Sequence, residues 1–214
     1  KWLVETKNGA QPFAVGELFD ANPTVLRNYW NAVQSSANAG GVKSAKISLF
    51  DFTLREHLRD VLNATNGSQD IYQKLVGQGL VLGTDMGGFD VVTWLDNHDT
   101  DRLGYEGDSP GCSIPYGATC LKLDYSDGHD PVTADKEDMG YPYILAAEGR
   151  PTVFWKDWYW YGLSKDIKWQ IALRAYTATG TSDDCASPGP MSPDWTVTGF
   201  NTDNNGGNMF ALRR

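Results

Sequence analysis

The sequence predicts a parallel α/β arrangement of the barrel type, and three observations carry that expectation. Four short apolar or β-prone runs alternate along the chain with four segments of helical periodicity. No dinucleotide-binding glycine fingerprint or phosphate-cradling loop follows any of these runs, which sets aside a doubly wound nucleotide-binding sheet. Each run ends in a carboxylate: Glu17, Asp51, the cluster Asp96–Asp99, and Asp157. In α/β barrels chemistry sits where the strands end, in the loops leading to the helices. The pattern therefore delivers carboxylates from all four runs to one rim.

The elements follow in order. QPFAVGELF (Gln11–Phe19) reads as a short buried strand with a polar exit. Asn22-Pro23 then signals a helix start, Asn as cap and Pro in the first turn. Val25, Leu26, Tyr29, Trp30 and Val33 recur at helical spacing until Gly40-Gly41. AKISLFDF (Ala45–Phe52) is the second strand and LREHLRDVL (Leu54–Leu62) the second helix. GTDMGG (Gly83–Gly88) is rich in glycine but precedes a strand, so it reads as a loop. The third strand is Val91–Leu95, followed by a long polar loop from Asp99 to about Asp138. A helix over Gly140–Glu148 stops at Gly149, PTVFW (Pro151–Trp155) is the fourth strand, and a last helix covers roughly 166–177 with Ile167, Ile171, Arg174 and Ala175 on neighbouring turns. Beyond Gly180 the composition shifts to Ser, Pro, Asp and Gly, and TVTGF and NMFALR around DNNGGN read as a hairpin.

Composition narrows the function. The 214 residues, 41% hydrophobic, suffice to bury one sizeable core. A net charge of −9 argues against nucleic acid, whose phosphates attract a basic face, but leaves a neutral sugar open. No apolar run is long enough to cross a bilayer, so a membrane partner is not expected. The chain starts at Lys1 rather than Met, which implies processing or truncation. Cys112 and Cys120 bracket a short loop and can bridge; Cys185 would then be free or have its partner elsewhere. Two sequons, at Asn63 and Asn66, lend slight support to a secreted protein.

Four segments, FAVGELF (Phe13–Phe19), SLFDFTLR (Ser48–Arg55), WLDNHDT (Trp94–Thr100) and EGRPTVFWKDWYWYG (Glu148–Gly162), together resemble the α-amylase family of glycoside hydrolases. They occur in the family's order and spacing, over about Phe13 to Thr179. The resemblance implies the C-terminal half of a (β/α)8 TIM-type barrel, strands five to eight, over residues 1–180. Residues 181–214 would be a linker and the start of a small C-terminal β domain. It implies secretion, α-1,4-glucan as substrate, calcium as cofactor with its usual ligands outside this chain, and the missing N-terminal half of the barrel as a partner. By the same resemblance Glu17 is the general acid/base, Asp99 the carboxylate that stabilises the transition state, and His98 a sugar-binding imidazole. Asp96 and Asn97 belong to the motif without a chemical step. Trp155 and Asp157 fall in the subsite region, where the family's Tyr-Gly-Asp is replaced by Trp155-Lys156-Asp157. The family's nucleophile motif, written G-F-R-x-D, does not occur in these residues, so the nucleophile is expected upstream.

The chemistry fits the assignment. Glycoside cleavage needs one protonated carboxyl at the leaving oxygen and ionised carboxylate near the oxocarbenium ion. Glu17 follows Phe13, Val15 and Gly16, an apolar setting that favours the protonated form, whereas Asp99 sits among polar neighbours. Weighed against this, a loop Glu is most often simply solvated. Asp51 reads equally as a site residue or as a partner for its neighbours, and Asp157 as structural or subsite-lining. The aromatic run Trp155–Tyr161 reads equally as core or sugar platform. His57 reads as solvated surface, and His129 with Asp127, Asp130 or Asp135 as a hydrogen-bonded loop ahead of a metal site. Two alternatives stay open: a related transglycosylase or α-glucosidase, and a non-catalytic glucan-binding chain.

Overall fold

The computed structural model describes residues 13–39, 47–64, 74–75, 77–100, 132, 136–159 and 161–179. Four strands form one parallel sheet in the order β1-β2-β3-β4: β1 (Val15–Gly16), β2 (Ser48–Phe50), β3 (Val91–Thr93) and β4 (Arg150–Pro151). Gly16 pairs with Leu49, Leu49 with Val91, and Thr93 with Pro151. Sequence order equals sheet order. The α/β class and the parallel sheet are thus as expected.

The helices are α1 (Pro23–Ala39), α2 (Phe52–Leu62), α3 (Gly79–Gly83), α4 (Glu137–Ala146), α5 (Trp155–Tyr159) and α6 (Ser164–Thr179). Asn22 caps α1 as the sequence predicts, its Oδ1 accepting from the Thr24 amide at 2.9 Å, with Pro23 in the first turn. Asp51 caps α2, accepting from the Leu54 amide at 2.9 Å. None of the described helices is long and apolar enough to cross a membrane.

Side-chain alternation divides the sheet faces. Leu49 and Val91 point to the helical layer, where they meet Leu26, Leu80 and Met86 in one apolar cluster. A second cluster joins Leu54, Leu58 and Leu62 of α2 to Tyr141, Ile144 and Leu145 of α4, with Leu95 and Ile167. On the opposite face Phe50 meets Trp94 edge-on at 6.0 Å, while Val15 is more than a third exposed. Among the described residues the helical face of the sheet is buried at Leu49 and Val91, while the other face runs from partly exposed at Val15 to buried at Trp94.

The fourth strand is shorter than the predicted Pro151–Trp155, and Trp155 instead opens a helix. The Thr152 amide still reaches the Thr93 carbonyl at 2.8 Å, but the Phe154 amide donates to the Tyr141 hydroxyl at 3.2 Å. A helix side chain thus takes the donor that would have continued the ladder. Helix α4 starts before Gly140, because that glycine serves close packing rather than helix initiation: a Cβ there would stand 2.6 Å from Leu95 Cδ1. The α4 C-terminus is closed by Arg174 of α6, whose guanidinium donates to the carbonyls of Leu145, Ala147 and Gly149 at 2.7–3.0 Å. Ile167 is buried on the predicted face of α6, but Ile171 and Ala175 are exposed. The three cysteines, the His129 group, residues 101–131 and the segment 181–214 with its expected hairpin lie outside the described residues.

Candidate active site

Because the strands are parallel and neighbours in sequence order, all four deliver their exits to one rim. Glu17 follows β1 directly and Asp51 follows β2; Asp96 to Asp99 follow β3, and Asp157 lies in α5 beyond β4. Strands spaced ~4.8 Å apart put the exits of β1 and β3 ~10 Å apart. That is a span in which two long acidic side chains can face one sugar linkage.

The individual settings differ sharply. Glu17 is exposed, as is Phe19, so the apolar enclosure expected around its carboxyl is not there among the described residues. His98 and Asp99 are exposed together at the tip of a turn, their side chains 79% and 53% accessible and Nε2 and Oδ1 3.3 Å apart. That turn is tightly built. Asn97 Oδ1 accepts from the amides of Asp99 and Thr100 at 2.9 and 3.0 Å, and the Asn97 amide donates to Thr100 Oγ1 at 3.0 Å. Thr100 Oγ1 lies 3.1 Å from Asp96 Oδ1. Trp155 is about half exposed at the start of α5, with Tyr159 one turn further on and also exposed.

Asp157 is not on the surface. It is fully buried and accepts a hydrogen bond from the Tyr141 hydroxyl. Burial and the neighbouring Asp157 charge hold the Tyr141 phenol well above its usual range. The helix starting at Trp155 turns residue 157 toward Tyr141 of α4.

Asp51 is likewise buried and serves two backbone amides, Leu54 at 2.9 Å and Leu80 at 2.8 Å. Burial pushes its carboxyl up to about 6, against the pull of those two donors. A small cavity of about 10 Å³, room for about one water, adjoins Asp51, Thr93, Tyr143 and Glu148. The raised pKa fixes the sign of a pH dependence. The folded state holds the Asp51 proton more tightly than the unfolded chain, so this contribution is complete below pH ~4 and is lost as pH rises through 6. The loss is on the order of 3 kcal/mol. Urea unfolding of wild type and Asp51→Asn at pH 4 and 7.5 should show the wild type losing ground over that interval. An unchanged difference between the two proteins would contradict it.

Sequence reasoning passed over the group beneath the rim. Asp96, Glu137 and Asp157 are all buried, and oxygens of the three lie within 4.8 Å of one another. Arg55 of α2 is fully buried beside them, with Nη2 3.5 Å from Asp96 Oδ1. Spacing gave a signal for part of this: Glu137 and Tyr141 stand four apart on one helix face, and Arg55 lies in the first turn after a strand exit. The oxygens are the kind calcium takes, but that ion wants six to eight of them. Here a guanidinium faces Asp96 and a phenol donates to Asp157. The trio therefore does not by itself make a calcium site, and the calcium expected from the resemblance has its usual ligands outside this chain. No protein-family model and no curated protein matches this chain.

Proposed function

We propose that the chain is part of an α-amylase-like retaining glycosidase that hydrolyses internal α-1,4-glucosidic bonds in starch or glycogen. On this reading the four-stranded sheet is the C-terminal half of a (β/α)8 barrel, and its less covered face belongs to the barrel interior. The observation that carries the reading is the rim itself: parallel strands present Glu17 from β1 and the exposed pair His98–Asp99 from the turn after β3.

Glu17 protonates the leaving glycosidic oxygen and then takes a proton from the water that completes hydrolysis. Its exposure on the rim gives it access to both. Asp99 stands beside the developing oxocarbenium ion and stabilises its charge, and His98 hydrogen-bonds the same sugar. Trp155 and Tyr159 offer exposed ring faces one helical turn apart, on which glucose units can stack. The nucleophile is a carboxylate outside these residues, as no G-F-R-x-D motif occurs among them. Secretion and the completing half of the barrel belong to the same proposal.

Product analysis tests it. The complete gene product incubated with maltoheptaose should release shorter oligosaccharides only. Products longer than the substrate would favour the transglycosylase reading, glucose alone from the chain end the α-glucosidase. Starch affinity without any product would favour a glucan-binding chain and sink the hydrolase.

A further inference from the structure

We infer that Arg55 is a positioning residue for Asp99, acting through Asp96 and Thr100; the inference rests on the function proposed above. Strand β3 ends at Thr93, so sheet pairing no longer fixes the chain where the Asp96–Thr100 turn begins. One side chain from α2 takes over. Arg55 Nε donates to the Leu95 carbonyl at 3.2 Å, Nη2 lies 3.5 Å from Asp96 Oδ1, and the guanidinium carbon stands 5.6 Å from the Trp94 ring centroid. Three successive residues of the strand exit are thus gripped by one planar cation. Nη1 donates to Glu56 at 3.1 Å on the same helix.

From Asp96 the constraint passes onward. The Thr100 hydroxyl donates to Asp96 Oδ1 at 3.1 Å and accepts from the Asn97 amide at 3.0 Å, closing the turn on itself. Asn97 then fixes the Asp99 amide at 2.9 Å. Asp96 and Thr100 are buried while His98 and Asp99 are exposed, so the inner bonds set where the outer carboxylate stands. A buried guanidinium is an expensive way to fill an apolar helix face, which Leu or Met would fill without desolvating a charge. Its bonds to the Leu95 carbonyl and Asp96 make sense as a fixed base for the turn.

The consequence is a separation of kinetic constants. Asp99 acts on charge that develops only in the transition state, whereas glucan binding is spread over many sugar contacts. Loosening the turn therefore lowers kcat and leaves KM nearly alone. In the complete gene product, assayed on a chromogenic maltooligosaccharide, Thr100→Val should lower kcat about tenfold and Arg55→Met on the order of a hundredfold, with KM within about twofold. A merely structural role would persist when Asp99 is gone, so each variant is also combined with Asp99→Asn. On that background neither should reduce the residual rate further.

Wild-type kcat for Thr100→Val, or an equal loss with and without the Asp99 carboxylate, overturns the inference. If Arg55→Met does not fold, the near-isosteric Thr100→Val pair decides alone. Asp99→Asn inactive with Thr100→Val fully active defeats the positioning role while the proposed function stands. Asp99→Asn with wild-type kcat defeats both.

Discussion

On the proposed function, Glu17→Gln should lower kcat on starch by about 10³-fold in the complete gene product while leaving starch affinity near wild type. An amide keeps the shape and hydrogen-bonding reach of the side chain, but can neither donate a proton to the leaving oxygen nor accept one from water. Glu17 lies exposed just after β1, so its replacement should change stability by less than about 0.5 kcal/mol. Loss of activity therefore reports on chemistry and not on folding. A second signature separates acid catalysis from binding. A substrate with a good leaving group, such as a glycosyl fluoride, needs no proton at departure, so the first step on it should suffer far less. Retained hydrolysis of starch by the Gln variant would remove Glu17 from the mechanism.

The largest expected effect on stability comes from Gly149→Ala. Gly149 has φ +109, a backbone conformation that side-chain-bearing residues rarely adopt, and a Cβ there would lie 2.6 Å from Thr93 Cγ2. Thr93 is buried in β3, at the centre of the β2-β3-β4 pairing, so its side chain stands directly against the added carbon. Backbone strain of ~1–3 kcal/mol adds to overpacking of similar size, so a loss of about 3–5 kcal/mol is expected in urea unfolding. Gly77→Ala provides the control. It has φ +70 but nothing within 4 Å of the added carbon, so only the backbone part, ~1 kcal/mol, should appear. Equal losses at the two positions would show that contact with Thr93 contributes nothing.

What the sequence revealed and what it hid have physical causes. Asn22-Pro23 marked the start of α1 because capping chemistry is local, requiring only an oxygen beside free amides. The order of strands and helices was legible for the same reason: periodicity is written in neighbouring residues. Helix α3, Gly79–Gly83, escaped because a five-residue segment bounded by glycines carries no periodicity. The end of β4 escaped because it depends on Tyr141, thirteen residues away, taking the Phe154 amide.

The rim divided along similar lines. Glu17, His98 and Asp99 stand exposed just beyond β1 and β3, whereas the sequence suggested an apolar setting for Glu17. Asp51 and Asp157 read as comparable carboxylates in the sequence but are buried, one between two backbone amides and the other under Tyr141. Arg55 lies in the first turn after a strand exit, but an Arg in LREHLRD otherwise looks like any solvated helix residue, so its burial was not legible locally. Its role follows from the tertiary approach of α2 to the end of β3, which no local pattern records.

If this rim supports retaining cleavage of α-1,4-glucans, as proposed, the first product released carries the signature. The most direct measurement is the proton NMR spectrum of a maltooligosaccharide digest during the first minutes, before the anomers equilibrate. The α-anomer of the new reducing end should appear first, with the β-anomer growing in afterwards. A β-anomer formed first, or no new reducing end from a sample that still binds starch, would contradict it.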